Sequence, residues 1–124
     1  MRILIVEDDA DARTFLTGIL REAGRDVEGY DNLCDAVRAM MCGAFDLVLL
    51  DLQLSGVPCE TALSLLREVA PGVPVVLTTA DPGGCQAGRG ARAGAFRVVA
   101  KPFKAADILE TVDRAQTSRS SAPA

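Results

Sequence analysis

Carboxylates, a hydroxyl and an amine stand at the ends of several short apolar runs in this chain. Asp8 and Asp9 follow the first run, Asp51 ends another, and Thr79 and Lys101 come at the ends of two later runs. Clustered carboxylates repel one another and favour a bound cation, and hard oxygen ligands with room for water suit Mg²⁺. A nearby amine and hydroxyl suit an anion with dispersed charge, such as a phosphoryl group. Because a carboxylate in that setting can attack phosphorus, these residue types indicate phosphoryl transfer onto an aspartate.

These side chains can cooperate only if the fold brings the ends of the apolar runs together. The chain alternates short apolar runs with amphipathic stretches, and this periodicity predicts strands at residues 2–6, 26–30, 45–50, 73–78 and 96–100. Helices are predicted at residues 10–23, 32–42, 60–69 and 104–115, with a doubtful fourth helix within 81–93. Strands linked by helices require right-handed crossovers and a parallel sheet covered on both faces. We therefore predict a flavodoxin-like, doubly wound α/β domain with strand order 2-1-3-4-5.

In such a sheet, ligands bind beyond the carboxyl ends of the strands. If strands 1 and 3 are neighbours, Asp8, Asp9 and Asp51 converge in one crevice, with Thr79 and Lys101 reaching in from strands 4 and 5. Each residue alone has a simpler explanation: the first two acids suit a helix N-terminus, and the others suit a turn, a strand and a solvated surface. Their joint placement at four strand ends favours a common site.

Composition excludes several kinds of chemistry. The 124 residues contain no His, which rules out a Ser-His or Cys-His nucleophile and a phosphohistidine on this chain. The 4 Cys show no C-x-x-C pairing and read as buried thiols in a reducing cytoplasm. The longest apolar runs fall far below the roughly 18 residues of a membrane helix, and the net charge of -4 argues against direct nucleic-acid binding. We therefore expect a cytoplasmic domain without membrane or nucleic-acid contacts.

Four short motifs occur in order along the chain: Ile-Val-Glu-Asp-Asp at 5–9, Leu-Val-Leu-Leu-Asp at 47–51, Thr79-Ala80 and Lys101-Pro102-Phe103. Together, and with separations of 28 residues from Asp51 to Thr79 and 22 from Thr79 to Lys101, they resemble the receiver domains of two-component response regulators. The resemblance covers about residues 1–117. Residues 118–124 are predicted to be a flexible tail or the start of a linker.

The resemblance implies specific roles for the acidic residues. Asp51 would accept a phosphoryl group from a sensor histidine kinase, a phosphotransfer protein or a small acyl phosphate. Asp9, Asp51 and the main-chain carbonyl of Gln53 would bind Mg²⁺, with Asp8 acting mostly through water. The chain would catalyse its own phosphorylation and dephosphorylation without being a metabolic enzyme.

The resemblance also implies how the phosphoryl group would be held and sensed. Thr79 would hydrogen-bond a phosphoryl oxygen, and Lys101 would pair with it, its direction fixed by a cis bond to Pro102. The face formed by the fourth helix, the fifth strand and the fifth helix would then switch its contacts with a downstream effector protein or domain.

Three features depart from the family pattern. Val98 stands where an aromatic residue is usual, Cys59 stands where a glycine is common, and the segment 81–93 holds four glycines and no large apolar residue. Since each interior glycine costs about 1 kcal/mol relative to alanine, we predict a short, frayed or displaced fourth helix. The face that would switch its contacts thus lacks the usual aromatic residue and has a weak helix. The alternative function is therefore a constitutive protein-interaction module. A phosphatase with an aspartate nucleophile is disfavoured because Gln53, not an acid, follows two residues after Asp51.

Overall fold

The computed structural model describes residues 1–54 and 56–120, and within them the strands form one parallel sheet. The strands are β1 (Arg2–Val6), β2 (Asp26–Tyr30), β3 (Leu47–Asp51), β4 (Val75–Thr79) and β5 (Arg97–Ala100). The helices are α1 (Ala10–Glu22), α2 (Leu33–Cys42), α3 (Cys59–Val69), α4 (Cys85–Arg92) and α5 (Ala105–Ser120). The strand order is β2-β1-β3-β4-β5, with all neighbours parallel. The predicted flavodoxin-like architecture is confirmed.

Both faces of the sheet are covered, which explains why β1, β3 and β4 read as nearly continuous apolar runs. Successive side chains of a strand point to opposite faces. On one face Leu4, Val48 and Leu77 pack with α2, α3 and α4, and on the other Ile5 and Leu49 pack with α1 and α5. All five residues of β3 are buried.

The main differences from the predicted boundaries concern helix ends. α5 continues to Ser120 rather than ending at Ala115, because no glycine or proline interrupts residues 105–120. Residues 118–120, predicted as tail, are therefore helical, whereas residues 121–124 lie outside the described residues. None of the described helices is long and apolar enough to cross a membrane.

The fourth helix is short, as predicted, with eight residues. Its packing depends on Gly90, since a Cβ atom there would collide with the Leu77 side chain and lie 3.2 Å from Cys59 Sγ. An ion pair of 3.4 Å between Arg89 Nε and Glu60 Oε1 joins α4 to α3. Gly90 weakens α4 as an isolated helix, but it permits α4 to approach the sheet and α3 closely.

Candidate functional site

The sheet register brings the candidate residues to one edge. Val6 of β1 pairs with Leu50 of β3, and Thr79 of β4 pairs with Ala100 of β5. The residues that follow these positions therefore meet at the carboxyl ends of the strands, as the strand order predicts. Asp51, the last residue of β3, is 4% exposed.

Lys101 spans two of the acidic side chains at this edge. Its Nζ lies 2.7 Å from Glu7 Oε1 and 3.4 Å from Asp51 Oδ1. Its main-chain N–H donates to the Thr79 carbonyl oxygen at 2.7 Å, and its peptide bond to Pro102 is cis. Burial lowers the pKa of Lys101, but its hydrogen bond to Glu7 and the charge of Asp51 outweigh burial and leave the pKa above its ordinary value. The amine is therefore a fixed positive charge beside the Asp51 carboxylate.

Three carboxylates form a compact group at this edge, and two of them, Glu7 and Asp51, contact the amine. Glu7, Asp8 and Asp51 each offer an oxygen atom, and these atoms all lie within 4.8 Å of one another. Glu7 is 1% exposed, and its Oε2 is the buried side-chain oxygen that lacks a hydrogen-bond partner within the described part of the chain. Burial raises the pKa of Glu7 to about 7, and the neighbouring Asp51 carboxylate adds to this, while Lys101 opposes it. An unpartnered oxygen among converging carboxylates fits a hard divalent cation.

Asp9 has a different place from the one predicted. It is the N-cap of α1, and its Oδ2 accepts a hydrogen bond of 3.3 Å from the main-chain N–H of Ala12. Glu7, to which the sequence assigns no role, takes its place in the carboxylate group. The signal that separates the two is the predicted helix start at Ala10, which puts Asp9 at a position where aspartate is strongly preferred as a cap.

Thr79 and Gln53 both lie near the group, each in a local hydrogen bond. Thr79 is buried, and its Oγ1 accepts from the main-chain N–H of Asp81 at 3.0 Å. The main-chain N–H of Gln53 donates to Asp51 Oδ1 at 3.0 Å. The Asp51 carboxylate is therefore held by the loop that follows β3 as well as by Lys101.

An apolar groove of about 600 Å³ opens beside Lys101. Its lining includes Phe15 of α1, Pro102 and Phe103 of the loop after β5, and Asp9. Phe15 is 48% exposed. The groove gives a second molecule an apolar surface next to the site.

Residues 3–113 match the family model of the response regulator receiver domain. Over 112 residues the chain is 37% identical to the probable transcriptional regulatory protein SilR of Salmonella typhimurium, covering 90% of this chain and 49% of SilR. It thus spans about half the length of the curated relatives it matches first.

Solved structures agree with the sequence match. The receiver domain of the sensor histidine kinase PA1611 from Pseudomonas aeruginosa, with a magnesium ion coordinated in its active site cleft, has a TM-score of 0.82 at 29% identity, covering 91% of this chain and 94% of that one. The receiver domain of NtrX from Brucella abortus has a TM-score of 0.87 at 30% identity, covering 94% of this chain and 98% of that one. On the strength of the family model, which spans most of its length, this chain belongs to the response regulator receiver domain family.

Proposed function

We propose that Asp51 is the phosphoacceptor of this receiver domain and becomes an aspartyl phosphate in a Mg²⁺-dependent reaction. The observation that carries the proposal is that Asp51, one of three converging carboxylates, has the Lys101 amine 3.4 Å from its Oδ1. An Asp51 oxygen attacks the phosphorus of the donor, so that a new O–P bond forms. The bond between phosphorus and the donor breaks, and its electron pair leaves with the donor's histidine nitrogen or acyl oxygen.

The chain's own side chains would then hold the transferred group. Lys101 pairs with a phosphoryl oxygen. The positive charge of its amine offsets the negative charge of that oxygen, which the carboxylates cannot stabilise. Thr79, at the end of the neighbouring strand, accepts the Asp81 N–H through its Oγ1, and its O–H is able to donate to a phosphoryl oxygen.

Glu7, Asp8 and Asp51 are the residues that would hold Mg²⁺, with the main-chain carbonyl of Gln53 as a further predicted ligand. The all-oxygen donor set and the unpartnered Glu7 Oε2 support this assignment. The magnesium ion in the PA1611 receiver domain supports it by similarity. When bound, the ion supplies positive charge to the phosphoryl oxygens and orients them.

The donor histidine lies outside these 124 residues, since they contain no histidine. A cytoplasmic sensor histidine kinase or phosphotransfer protein fits, because such a protein can bury apolar surface in the groove around Phe15 and Phe103 while it reaches the site. The phosphorylated domain would signal to an effector through the face of α4, β5 and α5. Val98, half-buried and packed against the core, stands on that face without an aromatic ring.

Mass spectrometry tests the proposal directly. After treatment with acetyl phosphate and Mg²⁺, the wild-type chain should carry one added phosphate, and Asp51→Asn should carry none. Asp113→Asn, which changes an exposed aspartate of α5, is the matched control and should label like the wild type. Full labelling of Asp51→Asn would assign the acceptor to another residue, and an unlabelled wild type would favour a constitutive interaction module.

A further inference from the structure

Arg13 of α1 reaches back to the strand end that carries the acidic residues. Its Nη1 donates a hydrogen bond of 2.8 Å to the main-chain carbonyl oxygen of Glu7. On the other side of the same residue, the Glu7 N–H donates to the Tyr30 carbonyl oxygen at 3.0 Å. Both main-chain polar groups of Glu7 are thus held.

The need for this arginine follows from where β2 ends. In an extended strand the N–H and C=O of one residue point to the same neighbour. The Glu7 N–H pairs with Tyr30, the last residue of β2, after which the chain turns at Asp31 and Asn32 into α2. Arg13 therefore supplies to the Glu7 carbonyl the donor that a longer β2 would supply.

Space for the arginine is provided by Gly29 of β2. A Cβ atom at this position would lie 3.1 Å from Arg13 Cγ and 3.2 Å from its Cδ. A glycine inside a strand weakens that strand and marks a close approach of another group. Here the approaching group is the half-buried stem of Arg13.

Orientation of the carboxylates depends on this contact. The Glu7 carbonyl belongs to the peptide unit that leads into Asp8, so the bond from Arg13 fixes the direction in which the chain continues. Glu7 and Asp8 are two of the three carboxylates of the group, and Glu7 also holds Lys101. A rotation of this peptide unit would separate their oxygen atoms.

We propose that Arg13 is a positioning residue of the site, which orients the Glu7–Asp8 peptide unit and so maintains the affinity for Mg²⁺. The inference rests on the proposed function, because the ion is part of it. Outer groups that orient metal ligands typically change metal affinity by about 10- to 100-fold when they are removed.

The test compares Arg13→Met with Arg21→Met in Mg²⁺ titrations followed by the amide NMR shifts of Asp8 and Gln53. Arg21 is the matched control, because it lies on the same helix and also donates to a main-chain carbonyl, from Nη2 to that of Val27 in β2, at 3.3 Å. We expect the Kd for Mg²⁺ to rise about tenfold in Arg13→Met and to stay at the wild-type value in Arg21→Met. In phosphorylation assays, Arg13→Met should raise the apparent KM for Mg²⁺ and retain the rate at saturating Mg²⁺.

The sign of the change separates positioning from simple electrostatics. Removing a positive charge beside carboxylates would by itself strengthen cation binding, so weaker binding by Arg13→Met supports the positioning role. Gly29→Val, which fills the space of the arginine stem and leaves its charge in place, should weaken binding in the same way. Unchanged or tighter binding by Arg13→Met, or unchanged binding by Gly29→Val, would overturn the inference. A wild-type chain that does not bind Mg²⁺ would instead contradict the proposed function itself.

Discussion

Because the Glu7 carboxyl is buried, the free energy of unfolding of the metal-free protein should fall as the pH rises. Burial, followed by the neighbouring Asp51 carboxylate, raises the pKa of Glu7 from 4.5 to about 7 in the folded chain. The folded state therefore keeps a proton that the unfolded chain releases near pH 4.5. This contribution to stability is fully present below pH 4.5 and is lost as the pH rises through about 7.

The size of the effect follows from the difference between the two pKa values. A shift from 4.5 to about 7 corresponds to about 3 kcal/mol, since each pKa unit is worth about 1.4 kcal/mol. Solvent screening reduces this little, because Glu7 is 1% exposed. Between pH 4.5 and pH 8, the free energy of unfolding should therefore fall by up to about 3 kcal/mol on account of this one group.

Urea unfolding from pH 4.5 to 8, with a chelator present, measures the effect. The free energy of unfolding of Glu7→Gln should lack the fall caused by Glu7, because the amide does not titrate. The wild type should therefore lose up to about 3 kcal/mol relative to Glu7→Gln across this pH range. Glu22→Gln, at the exposed end of α1, is the control and should retain the wild-type fall, because Glu7 is still present. Mg²⁺ should reduce the fall by favouring the deprotonated carboxylate. Parallel curves for the wild type and Glu7→Gln would refute the reasoning.

Three further substitutions test features that only the structure shows. Asp9→Ala should lower the free energy of unfolding by about 1 kcal/mol through loss of the N-cap. NMR titration should show that the Mg²⁺ affinity of this variant is unchanged. A large loss of Mg²⁺ affinity would instead identify Asp9 as a ligand. Gly90→Ala should destabilise the chain by about 1–2 kcal/mol in urea unfolding, since its methyl group overlaps Leu77 and contacts Cys59. Gly88→Ala, where a Cβ meets nothing closer than 3.7 Å, should instead stabilise by up to about 1 kcal/mol; equal effects of the two changes would contradict the described packing.

The strands and most of the site were predictable because their signals are local. β1 and β3 are apolar runs that must be buried on both faces, and the strand order then places Asp51 and Lys101 at one edge. The contact between their side chains is observed at 3.4 Å. Periodicity and topology were sufficient for this part of the molecule.

The choice among the consecutive acids at 7–9 depended on tertiary structure. All three residues offer a carboxylate, and only the path of the chain from β1 into α1 decides which ones face Asp51. Asp9 turns to the α1 amides, while Glu7 is buried against Lys101. The loss of solvent around Glu7, which changes its protonation, also depends on neighbours that are distant in sequence.

The sequence pattern underestimates the packing of α4 for a related reason. Counting large apolar side chains treats a glycine as a weakness, and α4 buries only Ala87 and Gly90. The value of Gly90 is its lack of a side chain opposite Leu77 and Cys59, two residues that come from other elements. No pattern within residues 85–92 reveals such a fit.

The position of Asp51 on the central strand determines which parts of the molecule can move to accommodate a group added to its side chain. Every residue of β3 is buried, and the strand is hydrogen-bonded to β1 on one side and β4 on the other. Its backbone amides should be among the slowest to exchange with solvent. The main chain of β3 should therefore move little when Asp51 carries a bulky charged substituent. The surrounding side chains and the loop that begins at Leu52 must move to accommodate it.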